Sequence, residues 1–434
     1  MHLINYGCRE DVAGKLRTIK LLKQINQILP GEIIVLKLSG DLLIPVLQAI
    51  DRGAVAFIAD CGKTNHGVIA AKELGLPFYI GNQNDLRNGY YYSLLENQIH
   101  PGKMPIKTSK NANRRLAPAT NKNLFINLGF PKRVLKHNPQ LFSAVDGVGF
   151  ARLEFCIAEI IGRLHPVEYL RRFGEEKLLI EIYKEFAKVA DKFSGKRFWI
   201  RTDDFSPAQL VQLEAGKKYE SHIGNELVSF RGISRSIHPD WQNLGNLEKK
   251  LTGVSWIGIQ FKALNILARD FPKVKFGVFA PMVHDVSEYK VWRKIADKFI
   301  KQPIDYGVMV EVPALTGKGI TPFIKSKLID FMIFGTNDLT ALTLGIDRSD
   351  NRLAYLFNEE NPVVLNSLYE TIAICKKAKV LTAIGGAAAS RPSLIKKLFT
   401  AGIDIFSVNP DRETINQTRQ FIYKLERGKK NAKN

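Results

Sequence analysis

The most constraining feature of this chain is a series of eight short apolar segments, nearly all of them separated by residues with a helical pattern. The segments are LFINLGF from Leu124, GVGFAR from Gly147, RFWIRT from Arg197, FGVFAP from Phe276, GVMVEV from Gly307, FMIFGT from Phe331, VLTAIG from Val380 and DIFSVN from Asp404. Between two of them, residues 175–193 carry apolar side chains at the i, i+3, i+4 and i+7 spacing of an amphipathic helix. Eight strand and helix units in about 300 residues predict a (β/α)8 barrel.

The barrel prediction also nominates a site, because the active sites of such barrels lie at the carboxyl ends of the strands. The strand ends supply Arg152, Arg201, Glu311, Asn337 and Asp338, and the excursion SFRGISRS between the third and fourth strands adds Arg231 and Arg235. Arginine forks suit carboxylate and phosphate oxygens, and two carboxylates suit a hard cation such as Mg2+. The set predicts a site for a small phosphorylated acid bound with Mg2+. The alternative is that these residues only form structural salt bridges with one another.

A smaller α/β unit is predicted before the barrel, where the runs EIIVLKL and AVAFIAD alternate with helical segments. In DCGKTNHGVIAAKELGLP, Thr64 or Asn65 can cap a helix that begins near His66 and ends before Pro77. A helix N-terminus disfavours the imidazolium and stabilises an added phosphate, which suits a phosphate-carrying histidine. The other interpretation is that His66 only packs or caps.

These patterns divide the 434 residues into four parts. Residues 1–99 form the α/β domain, residues 100–123 a basic linker, residues 124–428 the barrel, and residues 429–434 a basic tail. The linker holds six Lys or Arg and no acid, and its proline, asparagine and serine residues are typical of an extended segment.

The formal net charge of +21 would suit a nucleic-acid partner. The lysines are spread along the helices, however, without the interleaved aromatic residues on which bases stack. We therefore expect an affinity for phosphorylated small ligands, and no nucleic-acid partner.

The remaining composition predicts a cytoplasmic protein without a membrane partner. No apolar run reaches the roughly 18 residues of a membrane span, and the first residues lack the apolar core of a secretory signal. The four cysteines, Cys8, Cys61, Cys156 and Cys375, are scattered without metal-binding spacing. They are expected to be reduced thiols, and no disulfide is assigned.

Several motifs resemble those of the phosphoenolpyruvate (PEP)-utilising enzymes. DGVGFARLEF, IRTDDF, FRGISR, VEVPA, FGTNDLTALTLGIDR and GIDIFSVNPD are similar, in the same order, to the barrel motifs of that family. DCGKTNHGVIAAKELGLP is similar to the family's phosphohistidine motif, and the resemblance is greatest to the PEP synthases (pyruvate, water dikinases). It covers residues 31–411 and implies a swivelling phosphohistidine domain followed by a PEP- or pyruvate-binding barrel.

The resemblance implies a role for each matching residue. His66 would carry the phosphoryl group, and Thr64 would be a site of regulatory modification. Arg152, Arg201 and Arg231 would hold the substrate, with Arg348 near the phosphoryl group. Glu311 and Asp338 would ligate Mg2+, with Asn337 beside them. Relatives of this kind usually pair, which implies a homodimer.

Two departures from the family pattern shape the expected function. PEP synthases begin with an ATP-grasp domain that charges the histidine, whereas this chain starts almost at the swivelling domain, so a separate ATP-grasp partner is predicted. Ile384, in LTAIGGAAASRP, stands where the family has a catalytic cysteine, which predicts impaired activity. The expected function is a phosphotransferase module of the PEP synthase type that acts on PEP or pyruvate with Mg2+. The alternative is a PEP-binding regulatory or scaffolding protein without turnover.

Overall fold

The computed structural model describes residues 3–7, 11–38, 42–62, 65–83, 85–95, 98–104, 118–220, 225, 227–347, 350–353 and 355–431. Thr64, Arg348, Cys8 and most of the predicted linker therefore lie outside the described residues. The chain divides into two compact units, the first being Met1–Arg115 with Asp347–Tyr355 and the second Leu116–Ile346 with Leu356–Asn434.

The described part of the first unit contains a seven-stranded sheet in the order β1-β5-β4-β3-β2-β6-β7. Its strands are β1 (Leu3–Asn5), β2 (Val12–Ile19), β3 (Ile33–Leu36), β4 (Ala56–Ala59), β5 (Phe78–Gly81), β6 (Tyr91–Leu95) and β7 (Gln98–Pro101), and its helices are α1 (Leu43–Asp51) and α2 (His66–Glu73). The runs EIIVLKL and AVAFIAD form β3 and β4, which lie side by side and parallel. The first half of β2 pairs with β6 and its second half with β3, so one strand joins the antiparallel and parallel parts of the sheet.

The second unit contains a closed barrel in which β8 to β15 follow one another around the ring and β15 pairs with β8. The strands, all parallel, are β8 (Asn123–Leu128), β9 (Gly147–Arg152), β10 (Arg197–Arg201), β11 (Lys275–Ala280), β12 (Asp305–Val310), β13 (Phe331–Phe334), β14 (Leu381–Gly385) and β15 (Ile405–Val408). Each coincides with one of the eight apolar segments. The prediction of an α/β domain followed by a (β/α)8 barrel is confirmed.

Helices of very different lengths connect the strands. They are α3 (Pro131–His137), α4 (Leu153–Ile161), α5 (Pro166–Phe173), α6 (Glu175–Ala190), α7 (Pro207–Leu210), α8 (Gly216–Tyr219), α9 (Gly232–Ile237), α10 (Pro239–Gln242), α11 (Trp256–Asp270), α12 (Val286–Phe299), α13 (Thr321–Ser326), α14 (Thr336–Leu344), α15 (Pro362–Lys377), α16 (Pro392–Ala401) and α17 (Arg412–Asn431). None of the helices in the described residues has both the length and the apolar content that a membrane crossing requires. Cys61, Cys156 and Cys375 are buried free thiols.

Large apolar side chains fill the barrel interior. The central cluster consists of Phe125, Phe150, Trp199, Phe279, Met309, Phe331, Ile333, Ala383 and Ile405. The rings of Trp199 and Phe331 stack with centroids 3.8 Å apart. Gly307 makes room for this stack, because a Cβ there would lie 2.4 Å from the Phe331 ring. The barrel is therefore a packed core, and polar chemistry is confined to its ends.

The same pair of hydrogen bonds between an aspartate and a neighbouring strand recurs three times at the amino ends of the barrel strands. The Oδ2 atoms of Asp146, Asp330 and Asp404 accept the backbone N–H groups of Leu124 (2.8 Å), Tyr306 (2.8 Å) and Thr382 (2.9 Å), each on the preceding strand of the ring. The backbone N–H of each aspartate donates to the carbonyl oxygen of the same residue. These reciprocal bonds fix the strand register at the end opposite to the predicted site.

Candidate active site

His66 is the first residue of α2, and the sequence-based expectation of a helix capped by Asn65 is confirmed. The Asn65 Oδ1 atom accepts the backbone N–H groups of Gly67 (3.0 Å) and Leu42 (3.1 Å), so it joins the starts of α1 and α2. Gly67 allows this approach, because a Cβ there would lie 2.6 Å from the Leu42 Cβ. His66 itself is half-buried, which leaves part of the ring accessible at a helix N-terminus.

In the second unit, five predicted residues lie at the carboxyl ends of neighbouring strands. Arg152 ends β9, Arg201 ends β10, Glu311 follows β12, Asp338 lies in the first turn of α14 after β13, and Arg231 precedes α9. All five are at most 5% exposed. The Nη2 atom of Arg231 lies 3.3 Å from the Oδ2 atom of Asp338, which brings a predicted anion-binding residue next to a predicted metal ligand.

Two acidic residues that sequence reasoning missed connect the arginines. Asp204 accepts from both Nε (2.9 Å) and Nη2 (2.5 Å) of Arg231, and its Oδ2 lies 3.2 Å from the Nη1 of Arg201. Glu154 accepts from the Nη2 of Arg201. Both acids lie inside the motifs IRTDDF and DGVGFARLEF, within three residues of a predicted arginine, and that spacing could have identified them.

The Glu311 carboxyl has a raised pKa. Complete burial raises its pKa, the like charges of Asp204 and Asp338 raise it further, and Arg201 and Arg231 only partly oppose them, so the pKa reaches about 8. The acids at this end of the barrel, Glu154, Asp204, Glu311 and Asp338, outnumber the arginines, Arg152, Arg201 and Arg231, by one formal charge.

That excess charge fits a divalent cation. The Oε1 atom of Glu311 accepts the backbone N–H of Met282 (2.7 Å), and Gly335 lies so close that a Cβ there would be 2.6 Å from Oε2. No group of three or more His, Cys, Asp or Glu with metal-binding geometry occurs in the described residues. Mg2+ is usually held by one or two carboxylates with water and substrate oxygens completing its shell, and Glu311 and Asp338 are the two carboxylates that the sequence predicts for this role.

Arg152 and Arg201 share an aromatic neighbour. The guanidinium carbons of Arg152 and Arg201 lie 4.4 Å and 4.9 Å from the centroid of the Phe150 ring, and that of Arg152 lies 5.2 Å from the Phe155 ring. These cation–π contacts orient both guanidinium groups above the apolar floor of the barrel. Burial alone would lower the pKa of Arg201, but the charges of Glu154 and Asp204 raise it, so it stays cationic.

Arg235 is not brought into this cluster. Its Nη1 and Nη2 atoms donate to the two Glu220 oxygens (2.7 and 3.0 Å), and its guanidinium lies 4.3 Å from the Trp241 ring centroid. For Arg235 the structural salt bridge is therefore the better interpretation. Asn337 is half-buried in the first turn of α14, next to Asp338.

Ile384 lies on β14 and is completely buried. Its neighbour Ala383 belongs to the interior cluster, and a Cβ on Gly385 would lie 2.9 Å from the Phe150 side chain and 3.2 Å from that of Ile333. Because side chains alternate along a strand, Ile384 points away from the barrel interior. Any side chain at this position of the strand has the same direction.

Comparison with known families agrees with this geometry. Residues 104–427 match a family described as "PEP-utilising enzyme, PEP-binding domain". That range contains all the clustered barrel residues and excludes His66.

Curated relatives extend the similarity to the first unit. The chain is 29% identical over 428 residues to "Probable phosphoenolpyruvate synthase" of Archaeoglobus fulgidus, covering 96% of this chain and 53% of that protein. It is 29% identical over 431 residues to "Phosphoenolpyruvate synthase" of Pyrococcus furiosus, covering 96% of this chain and 50% of that protein. The chain thus spans about half the length of these relatives.

Proposed function

Because the chain belongs to the family of PEP-utilising enzymes, we propose that it is a phosphotransferase module of the PEP synthase type. It moves a phosphoryl group between His66 and pyruvate or PEP. The observation that carries this proposal is the buried cluster of three arginines and two carboxylates at the carboxyl ends of the barrel strands. Phosphoryl transfer depends mainly on positioning and charge neutralisation, which such a cluster supplies.

In this proposal, Arg152, Arg201 and Arg231 hold the phosphate and carboxylate oxygens of PEP. Asp204 occupies the Nε and Nη2 atoms of Arg231, so the ligand meets this guanidinium through Nη1. Arg152 and Arg201 lie beside the Phe150 ring, and the Nη atoms of Arg201 also contact Glu154 and Asp204. Asn337, and Arg348 from outside the described residues, complete the proposed set.

Glu311 and Asp338 are the proposed Mg2+ ligands. A bound Mg2+ would neutralise phosphate charge and favour the ionised form of Glu311. The position of Glu311 supports this assignment, because its carboxyl is completely buried and close enough to Asp338 for that acid's charge to raise its pKa further.

The remaining parts of the proposal rest on the sequence resemblance to the PEP synthases. PEP synthases use ATP as the first phosphoryl source, and we propose that a nucleotide-binding module outside residues 1–434 charges His66, as a separate partner. Regulation at Thr64, a cytoplasmic location and a homodimer are further parts of the proposal.

A PEP-binding regulatory protein is the second candidate. The resemblance favours it, because Ile384 stands where the family has a catalytic cysteine and isoleucine cannot transfer a proton. Such a protein would bind PEP with Mg2+ at the same residues but would leave His66 unmodified.

Mass spectrometry after incubation with PEP and Mg2+ tests both functions. We expect an acid-labile phosphate on His66 that is lost in His66→Ala. His238→Ala is the matched control, because the His238 side chain is also solvent-accessible and its charged contact within the described part of the chain is Asp240. PEP binding without phosphorylation would favour the regulatory function, and absence of both would contradict both functions.

A further inference from the structure

Five buried side chains form a continuous row across the barrel mouth. The row runs Glu154, Arg201, Asp204, Arg231, Asp338, with acids and arginines alternating, and we call it the charge row. All five are at most 5% exposed. At one end of the row, Glu154 contacts Arg201, a proposed anion-binding residue. At the other end, Asp338 belongs to the proposed metal site.

Asp204 occupies the centre of the charge row. It is the only member, among the contacts of the described residues, that touches both Arg201 and Arg231. Its two bonds to Arg231 engage one whole edge of that guanidinium, which fixes the plane of the group. The backbone reinforces this arrangement, because Gly232 has a φ of +55° and a Cβ there would lie 3.1 Å from Asp204 Oδ1.

Arg231 therefore lies between two competing acids. It makes two hydrogen bonds to Asp204, whereas its single approach to Asp338 is 3.3 Å. If Asp204 lost its charge, the nearest acid for the buried guanidinium would be Asp338. A full ion pair there would compete with a cation for the Asp338 oxygens and would also turn Arg231 away from the anion.

We propose that Asp204 is a positioning residue that couples anion binding to Mg2+ binding, by holding Arg231 available to the anion and away from Asp338. This inference rests on the proposed function, since it takes Arg231 as a PEP-binding residue and Asp338 as a Mg2+ ligand. Coupling of this kind is reciprocal: Mg2+ strengthens PEP binding by the same factor by which PEP strengthens Mg2+ binding.

Asp203 provides a matched control. It is the adjacent residue, is equally buried, and is also hydrogen-bonded, but its partners are the Trp256 Nε1 (3.0 Å) and the Gln260 side chain, both on α11. Asp203→Asn removes a buried carboxylate without touching the charge row. A purely structural role for Asp204 would make the two asparagine variants behave alike.

The experiment is calorimetric titration of the full chain with PEP in the presence and absence of Mg2+, and with Mg2+ alone. In the wild type we expect Mg2+ to strengthen PEP binding by a factor in the range of about 5 to 150 that is usual for coupled sites. In Asp204→Asn that factor should fall towards one, and Mg2+ alone should bind several-fold more weakly. Asp203→Asn should keep the wild-type factor even if its melting temperature falls.

The double variant Asp204→Asn/Arg231→Gln separates coupling from folding. It removes both partners of the buried pair, which costs less stability than removing one, and it takes away the guanidinium that competes with the cation. Mg2+ affinity measured without PEP should therefore return towards the wild-type value.

The outcomes distinguish failure of the proposed function from failure of the proposed role of Asp204. Wild-type protein that binds no PEP, or binds it equally with and without Mg2+, would overturn the proposed function. Wild-type coupling that persists in folded Asp204→Asn, or Mg2+ affinity that stays low in the double variant, would overturn the role of Asp204 alone.

Discussion

The two units hold their functional residues in opposite ways. At the barrel mouth, charged side chains are buried and fixed by one another, as in the Arg231–Asp204 pair. In the first unit, His66 is half-buried, and its position is set by backbone capping through Asn65. Positioning and folding are therefore inseparable in the barrel site, whereas at His66 chemistry can be removed without disturbing the fold. Variants that affect the two properties unequally test this difference.

Arg231→Ala should have the largest effect. It leaves the Asp204 carboxylate buried without its bidentate partner, and breaking such a pair costs about 3–5 kcal/mol. We expect a loss of that size in the free energy of unfolding by urea, together with loss of detectable PEP binding by calorimetry.

His66→Ala is the counterpart in the first unit. It should abolish phosphate labelling, yet leave the urea midpoint and the PEP affinity of the barrel close to wild type. A similar stability loss in both variants would contradict the difference between the two units.

The next largest effect should be a pH dependence of the free energy of unfolding, caused by Glu311 in the barrel. The pKa of Glu311 is raised from 4.5 to about 8, so in this interval the folded state keeps a proton that the unfolded state has released. In metal-free protein, stability should therefore fall as the pH rises from about 5 to 8, by at most about 1.4 kcal/mol per pH unit.

Glu311→Gln supplies the control, because the amide cannot ionise. Urea unfolding at several pH values should show a shallower slope in this variant. An unchanged slope would mean that Glu311 is already ionised at pH 5, and the charge argument for the metal site would fail.

The difference between the units also explains what sequence could predict. The eight barrel strands were recognisable because each buried parallel strand is a continuous apolar run such as FMIFGT. In the first unit the sequence pattern identifies only β3 and β4, and it misses β1, β2, β5, β6 and β7. The strand β6 has only three buried residues in succession, one of them the polar Ser93, and its pairing with β2 joins residues about 80 positions apart, which no local pattern reveals.

Within the site, sequence placed residues at strand ends but could not identify their contacts. Arg201, Arg231 and Arg235 have the same residue type, yet two of them contact Asp204 and the third contacts Glu220. Which acid each arginine meets depends on the path of the chain after β10. Thr64 and Arg348 lie outside the described residues, so their roles remain predictions.

Asn65→Ala should have a moderate effect confined to the first unit. Loss of a helix cap costs about 0.5–2 kcal/mol, and the upper half of this range is expected because Asn65 Oδ1 accepts from both Gly67 and Leu42. Thermal unfolding should show the loss, and Asn65→Asp should recover most of it. PEP binding in the barrel should not change, and a change would contradict the independence of the two sites.

Ile384→Cys should have the smallest effect on activity, although it restores the residue type found in the family. Ile384 is buried on β14 and points away from the barrel interior, so a thiol there would face neighbouring helices and could not reach a ligand at the mouth. We expect the rate of deuterium entry at C3 of pyruvate, followed by NMR in D2O with Mg2+, to change less than about twofold, far below the 10²- to 10⁴-fold of a positioned acid or base. Ile384→Val controls for the lost packing, which should cost about 0.5–1.5 kcal/mol in that variant. Much faster exchange in Ile384→Cys alone would show that this position does reach the ligand. The wild-type barrel would then lack only the proton-transfer group at position 384.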